Sequence, residues 1–462
     1  MGKRIDSSRP SSGMTIRLLW VYCARHIHIV IFLLAILLRL FYIDTSYAFW
    51  DEAAYMENAR FFAAGTGNYN EILIRPPLLP LAVSPLLILG GEFAARIFLV
   101  LLNSAIVLVI YYLAKETYSR KAGLIASLLA AILPFHIIYS GYVMTDSILA
   151  LLLSVLAFLC VKFPKKNGAK FFVLMGLFSG LTFLTKYTAV LLVPLVMLPF
   201  MIRGKFRTRD IGLMAAVFMI TVAPHFIFQY FFSGSPVNFL LSAMEAVSIP
   251  EPASAGLLAW WFIDLFGLLI LPFAAGVYLL ARRGNIDTRT PVYWFLSFYL
   301  FYLIIVNQGV DKPPGILWLT ERFLFPMLPF FVLIASKALS ALSPRNLFIF
   351  AAIAVILFTP LYQRYAQPAI ELEGGIRGAT VETAAFIRSN VEANATIFCN
   401  HNCPSLAYYI PQKVEWYRSD QSLPGGAYLV YFGDLSGIDR EKFDTVKSVR
   451  SGEQEVSLLV AK

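Results

Sequence analysis

A chain of 462 residues with 58% hydrophobic and only 14% charged side chains lacks the polar surface that a set of soluble domains of that length would need. Composition therefore excludes an ordinary soluble globular protein and points to a polytopic α-helical membrane protein. The net charge of +10 then asks first for an explanation by topology rather than by an acidic partner.

In chain order, residues 1–26 are basic and polar, and no small-residue cleavage site follows the first apolar run, so that run is read as a retained helix. Apolar stretches recur at 27–43, 93–114, 122–138, 147–161, 171–184, 188–202, 211–231, 256–280, 292–306, 323–336 and 346–361, giving about eleven transmembrane helices, with thirteen as the upper count. Lys186 and Tyr187 interrupt 171–202, which leaves a tight hairpin and a broken helix both open there. With the N-terminus in the cytoplasm, the inside segments hold twenty-one Lys and Arg and the outside loops five, an alternation that a missed helix would scramble. The chain then divides into a cytoplasmic tail at 1–26, a transmembrane domain at 27–362 and an external soluble α/β domain at 363–462. It is read as a multi-pass protein of the plasma membrane. The last part carries strand-like runs at 395–399, 427–432 and 455–460, a helical stretch at 380–392 and a polar loop at 433–444.

The first external loop, 44–92, is long enough to expect function and is read as carrying juxtamembrane helices. "FWDEAAYMENARFF" is a helix ending at Gly65 whose period puts Asp51, Tyr55, Asn58 and Phe62 along one side, facing a cavity at the membrane surface. Asp51 has two readings: a helix cap, with Glu52 favoured by the macrodipole, or a base that partial desolvation suits to deprotonating a hydroxyl. Arg75, in "NYNEILIRPPLLPL", is held extended by two prolines. It is suited to a lipid phosphate, or else snorkels towards headgroups. Further ionisable groups gather on the same face: Asp146 in "YVMTDSILA", Lys186 beside Tyr187 in "LTKYTAV", and Arg322 in "TERFLFPMLPF". Asp264 lies inside an apolar run, with no partner legible.

"WDEAAYMENAR", "RPPLLPL", "GLTFLTKYTAVLLVP" and "ERFLFPMLPF" together resemble the glycosyltransferase C superfamily, and within it the protein O-mannosyltransferases and lipid A aminoarabinose transferases of the family 39 type. The similarity spans roughly residues 27–340. It implies an inverting transfer from a polyprenyl-phosphate sugar (dolichyl or undecaprenyl) to a hydroxyl or phosphate on a glycan, lipid or protein acceptor at the outer face, moving a hexose or a pentose. By motif position it implies Asp51 as general base, Glu52 as an acceptor contact and Arg75 at the donor phosphate. Lys186 and Arg322 are further donor contacts, and Tyr55, Asn58, Asp146 and Tyr187 line the cavity. Two departures leave the acceptor open: Ile74 stands where the aminoarabinose transferases carry an acid, and the 232–255 loop is too short for the mannosyltransferases' carbohydrate-recognition insert.

The chemistry of the residues agrees with those roles, because displacement at an anomeric carbon needs a base on the acceptor and positive charge on the departing phosphate. No Gly-rich phosphate loop accompanies them. Membrane lipids are expected partners and nucleic acid is not. No obligatory cofactor is expected; the alternative is a divalent cation on Asp51, Glu52 and Asp146. Cys399 and Cys403 flank His401 as a disulfide, a partial metal site or neither, and "NAT" at 394–396 fits an N-glycosylation acceptor. Rival readings are a transporter or flippase of lipid-linked sugars, which would be expected to show an internal repeat that is not found, and a noncatalytic scaffold.

Overall fold

The computed structural model describes residues 26–43, 50–65, 75–162, 168–203, 207–240, 266–305, 322–400, 403–417, 421–433, 435, 438, 439, 441–451 and 454–462. The tail 1–25, Ile74, Asp264, Lys312, His401 and most of the 232–255 loop lie outside them.

The helices follow the apolar runs. They are α1 (Ile27–Leu40), α2 (Trp50–Ala64), α3 (Leu78–Thr117), α4 (Arg120–Ile132), α5 (Pro134–Tyr139), α6 (Asp146–Lys162), α7 (Ala169–Thr185), α8 (Ala189–Arg203), α9 (Thr208–Ser233), α10 (Ile270–Arg283), α11 (Ile286–Ile305), α12 (Leu328–Leu339) and α13 (Pro344–Asn390). A 3₁₀ segment at Arg322–Met327 leads into α12. The helix ends have local causes. Ser119 Oγ accepts from Ala122 N at the start of α4 and Ser343 Oγ from Asn346 N at the start of α13, while Pro134 and Pro344 stand in first turns.

Only α3 and α9 are, by length and composition, long and apolar enough to cross a bilayer among the described residues. Several other runs yield helices of 14–17 residues, or about 21–26 Å at 1.5 Å per residue, because prolines and polar breaks divide them. The 171–202 run is two helices parted by Lys186–Thr188, Lys186 being extended.

Burial is arranged as lipid demands. On α1, Ile31, Ala35 and Arg39 are buried while Ile29, Val30, Leu33 and Leu37 are exposed, so the charged residue lies inside and the aliphatic ones outside. Arg39 donates to the carbonyls of Ala130 and Ala131 at the end of α4 and shares a 2.9 Å contact with His136 Nδ1. Close helix approach uses glycine: a Cβ at Gly176 of α7 would sit 2.4 Å from Met214 O of α9, and one at Gly180 would sit 2.7 Å from Thr221 Cγ2. These two make a small-xxx-small seam.

α3 breaks at Gly90 and Gly91, the latter at φ 64°, ψ −158°, which a side chain would strain. The break separates a juxtamembrane arm, Leu78 to Leu89, from the long apolar part, and makes Glu92 and Arg96 the first charged residues beyond it. The domain boundary expected at 363 falls inside α13, which runs unbroken from Pro344 to Asn390 and carries the chain into the C-terminal domain.

That domain is a five-stranded sheet ordered β2-β1-β3-β5-β4, formed by β1 (Thr396–Cys399), β2 (Lys413–Trp416), β3 (Tyr428–Phe432), β4 (Phe443–Ser451) and β5 (Gln454–Ala461). β1 is parallel to β2 and β3, and β5 is antiparallel to β3 and β4. The short helix α14 (Cys403–Tyr409) links β1 to β2. β2 and β4 were not among the expected strands, and the polar loop expected at 433–444 gives way to β4 at Phe443. β4 alternates poorly, with most of its side chains exposed at the sheet edge, which is why hydropathy did not mark it. Cys399 and Cys403 are buried and not joined by a disulfide, so that alternative is not realised; Cys403 Sγ donates to Cys399 O at 3.1 Å.

Candidate active site

Asp51 is the second residue of α2, and its Oδ1 lies 2.7 Å from Arg75 Nη1, both side chains being 17% exposed. It lies inside the first turn rather than at the cap, and its carboxylate is engaged by a cation from the far end of the loop. One turn on, Tyr55 is buried, with the Arg75 guanidinium 5.1 Å from its ring centre and its hydroxyl 3.2 Å from Thr145 Oγ1. Burial pushes the Tyr55 phenol above its ordinary pKa against the opposing pull of Arg75, so it stays a neutral hydroxyl.

Thr145 precedes Asp146 at the head of α6, and Asp146 Oδ1 lies 2.5 Å from Lys186 Nζ, which comes from the break between α7 and α8. Tyr187, next in the chain, has its hydroxyl 3.0 Å from His225 Nε2 on α9. Tyr302 of α11 lies within electrostatic reach of Asp146, and Tyr187 within that of Tyr55. Two carboxylate–cation pairs, bridged by a tyrosine and a threonine, thus converge from positions 51, 55, 75, 145, 146 and 186.

Glu52 does something different from what its place beside Asp51 suggests. Its side chain is wholly buried; Oε1 accepts from Arg96 Nη1 at 2.8 Å and from the Val143 amide at 2.6 Å. The acceptor-contact role expected of it is therefore corrected: adjacent helical residues point about 100° apart, and the turn that aims Asp51 at Arg75 sends Glu52 into the protein. The single cavity-facing side expected of α2 is corrected too, since residues 52–59 are buried all round, Asn58 included, and Phe61 and Phe62 rest on Phe232 and Phe228 of α9. Arg322 opens the 3₁₀ segment before α12; its side chain lies outside the described residues.

Sequence reasoning missed Arg96, Glu92, Thr145, His225 and Tyr302. Arg96 had a usable signal, a charge inside the run "EFAARIFLVLL". Tyr302 had none. Among the described residues no three His, Cys, Asp or Glu side chains group as a metal site; Asp51, Glu52 and Asp146, considered as cation ligands, are engaged by Arg75, Arg96 and Lys186. A cavity of about 760 Å³ in the C-terminal domain, beside Asn400, Tyr417 and Tyr431, shares none of the residues of the two pairs.

The opposite ends of the helices carry a different set of contacts. Arg203 pairs with Asp287 at 2.5 Å, Lys121 donates to Leu342 O at 2.6 Å, and the Lys337 ammonium lies 5.6 Å from the centre of the Tyr118 ring. The segments expected in the cytoplasm therefore meet one another, and the C-terminal domain meets α2: Arg60 donates to Tyr408 O at 2.8 Å.

Residues 75–228 match the family model for dolichyl-phosphate-mannose-protein mannosyltransferase. No curated protein matches the chain. ArnT from Cupriavidus metallidurans in the apo state is similar at 15% identity over 96% of this chain and 98% of that one, with a TM-score of 0.69. The same protein bound to undecaprenyl phosphate gives a TM-score of 0.68 at 15% identity, over 95% and 98% of the two chains. The archaeal oligosaccharyltransferase AglB from Archaeoglobus fulgidus, in complex with an inhibitory peptide and a dolichol-phosphate, matches at 13% identity and a TM-score of 0.53, over 85% of this chain and 64% of that one. The chain thus shares its fold with ArnT over nearly the whole length of both chains, and its segment 75–228 is similar to the mannosyltransferase family model.

Proposed function

We propose that the protein transfers a sugar, with inversion, from a polyprenyl-phosphate donor to an acceptor at the outer face of the membrane. The observation that carries this reading is the 2.7 Å pair of Asp51 with Arg75 beside the Asp146–Lys186 pair, at the end of a bundle whose outward surface is apolar. Arg75 and Lys186 take the donor phosphate, joined by Arg322, and Asp51 takes the acceptor proton as the acceptor oxygen bonds to the anomeric carbon. The bond from that carbon to the phosphate oxygen breaks, and the electron pair leaves with the polyprenyl phosphate. Glu52 holds α2 rather than the acceptor. Tyr55, Asn58, Asp146 and Tyr187 shape the sugar and acceptor space.

Asp51 and Arg75 neutralise each other in their 2.7 Å pair. A donor phosphate that takes Arg75 into a bidentate contact draws it off Asp51 and leaves the carboxylate as a base only when donor is present. The N-terminus is cytoplasmic, the C-terminal domain external, and about eleven helices cross the membrane. Catalysis needs no obligatory metal.

The test is transfer from radiolabelled polyprenyl-phosphate sugars, hexosyl and pentosyl, to a membrane extract by the wild type and by Asp51→Asn at matched folding. Transfer that collapses in the variant supports the assignment, and the labelled product identifies the acceptor. Undiminished transfer removes Asp51 from the chemistry, and no transfer by the wild type across the donor panel removes the proposed activity.

A further inference from the structure

We propose that the C-terminal domain is a positioning element for the helix that carries Asp51, and that it acts through Tyr408. The proposal rests on Asp51 being the base. It starts from a closed ring of contacts that begins and ends on α2. Arg60 of α2 donates to Tyr408 O at 2.8 Å and lies 3.9 Å from the centre of the Tyr408 ring. The Tyr408 hydroxyl donates to Glu92 Oε2 at 3.0 Å. Glu92 Oε1 accepts from Arg96 Nε at 2.9 Å and Nη2 at 2.6 Å, and Arg96 Nη1 donates to Glu52 Oε1 at 2.8 Å, which returns the ring to α2.

Glu52 and Arg60 are eight residues apart, so the ring grips α2 at two points about 12 Å apart along its axis. Any roll of α2 that moves Asp51 away from Arg75 has to break one of those grips. Glu52, Arg96 and Tyr408 are each less than a tenth exposed, and in such surroundings charge-assisted hydrogen bonds are stronger than in water. The ring also reaches the second half of the site, because Glu52 accepts the Val143 amide and Arg96 donates to Gly141 O at 3.2 Å. Those residues form the loop that presents Thr145 and Asp146.

Tyr408 belongs to this assembly more than to its own domain. It packs in the apolar cluster of Tyr55, Met56, Leu79 and Ile148, while the domain's separate core is built on Ile397, Leu406, Val430 and Leu458. A tyrosine that served only the domain's stability would sit in the second cluster.

The experiment uses the full chain in detergent or nanodiscs. Tyr408→Phe keeps the ring, its packing and the backbone contact to Arg60, and removes only the hydroxyl bond to Glu92. The expected result is a fall in kcat of about tenfold with the donor KM unchanged, the size expected from one charge-assisted bond. Amide hydrogen exchange should quicken in α2, residues 51–59, while the strands β1, β3 and β5 keep wild-type protection, which shows that the domain is still folded. Glu92→Gln should behave likewise, and the double variant should lose no more than either single one, because the ring opens once. Wild-type kcat and wild-type exchange in Tyr408→Phe overturn the proposal. A wild type that transfers no sugar overturns the reading of Asp51 instead, and the exchange measurement still decides whether Tyr408 holds α2.

Discussion

Replacing Arg96 by methionine is the most informative single perturbation of the site's support. The substitution keeps an apolar stem of similar length inside α3 and removes the guanidinium, along with its bonds to Glu52 at 2.8 Å, Glu92 at 2.6 and 2.9 Å and Gly141 O at 3.2 Å. Glu52 is wholly buried, so its carboxylate loses its cation where water cannot replace it. Removing one partner of a buried pair costs about 3–5 kcal/mol, well above the roughly 1 kcal/mol of a surface pair. Reversible unfolding of the detergent-solubilised protein, followed by helix signal against denaturant, measures the loss. A double-mutant cycle with Glu52→Gln separates it from lost packing: the amide needs no cation and still accepts the Val143 N–H, so the double variant should be at least about 2 kcal/mol more stable than the sum of the singles implies. An Arg96→Met loss below about 1 kcal/mol, or strictly additive singles, would refute the argument that Glu52 is a buried ion held by Arg96.

Other outcomes follow from the same geometry. Lys186→Met should raise the donor KM at least tenfold and, because the Asp146 side chain left without this cation is only 7% exposed, should also lower thermal stability; a donor KM that stays at the wild-type value in the folded variant would make the Asp146 pair structural. Gly180→Val should separate α7 from α9, because a Cβ there already meets Thr221 at 2.7 Å; a cost of about 1–3 kcal/mol in the same unfolding assay is expected, and none would contradict the close approach. Treatment with a chelator, followed by assay in metal-free buffer, should leave transfer intact, and activity that returns only with added divalent cation would assign one to the site.

Much of the architecture was legible from local pattern. The apolar runs, the break at Lys186 and Tyr187, the α2 helix and three of the five strands come from hydropathy, propensity and turn residues, which act over a few residues and so are written in the chain. β4 escaped because an exposed edge strand has no buried face to alternate against. The motif residues Asp51, Arg75, Asp146 and Lys186 could be named as ionisable groups on one face, but their pairing across 24 and 40 positions could not.

The sequence by itself determined that this is a many-helix membrane protein whose charged residues stand mostly between its apolar runs, because burying ions in lipid is too costly to be ambiguous. Which of two adjacent carboxylates faces the reaction space was decided only by the tertiary structure. Asp51 and Glu52 are alike in chemistry and propensity, and their fates part because Arg75 waits on one side of α2 and Arg96 on the other. Those two cations arrive from 24 and 44 residues away, and only the packing of α2 against α3 brings them to their places.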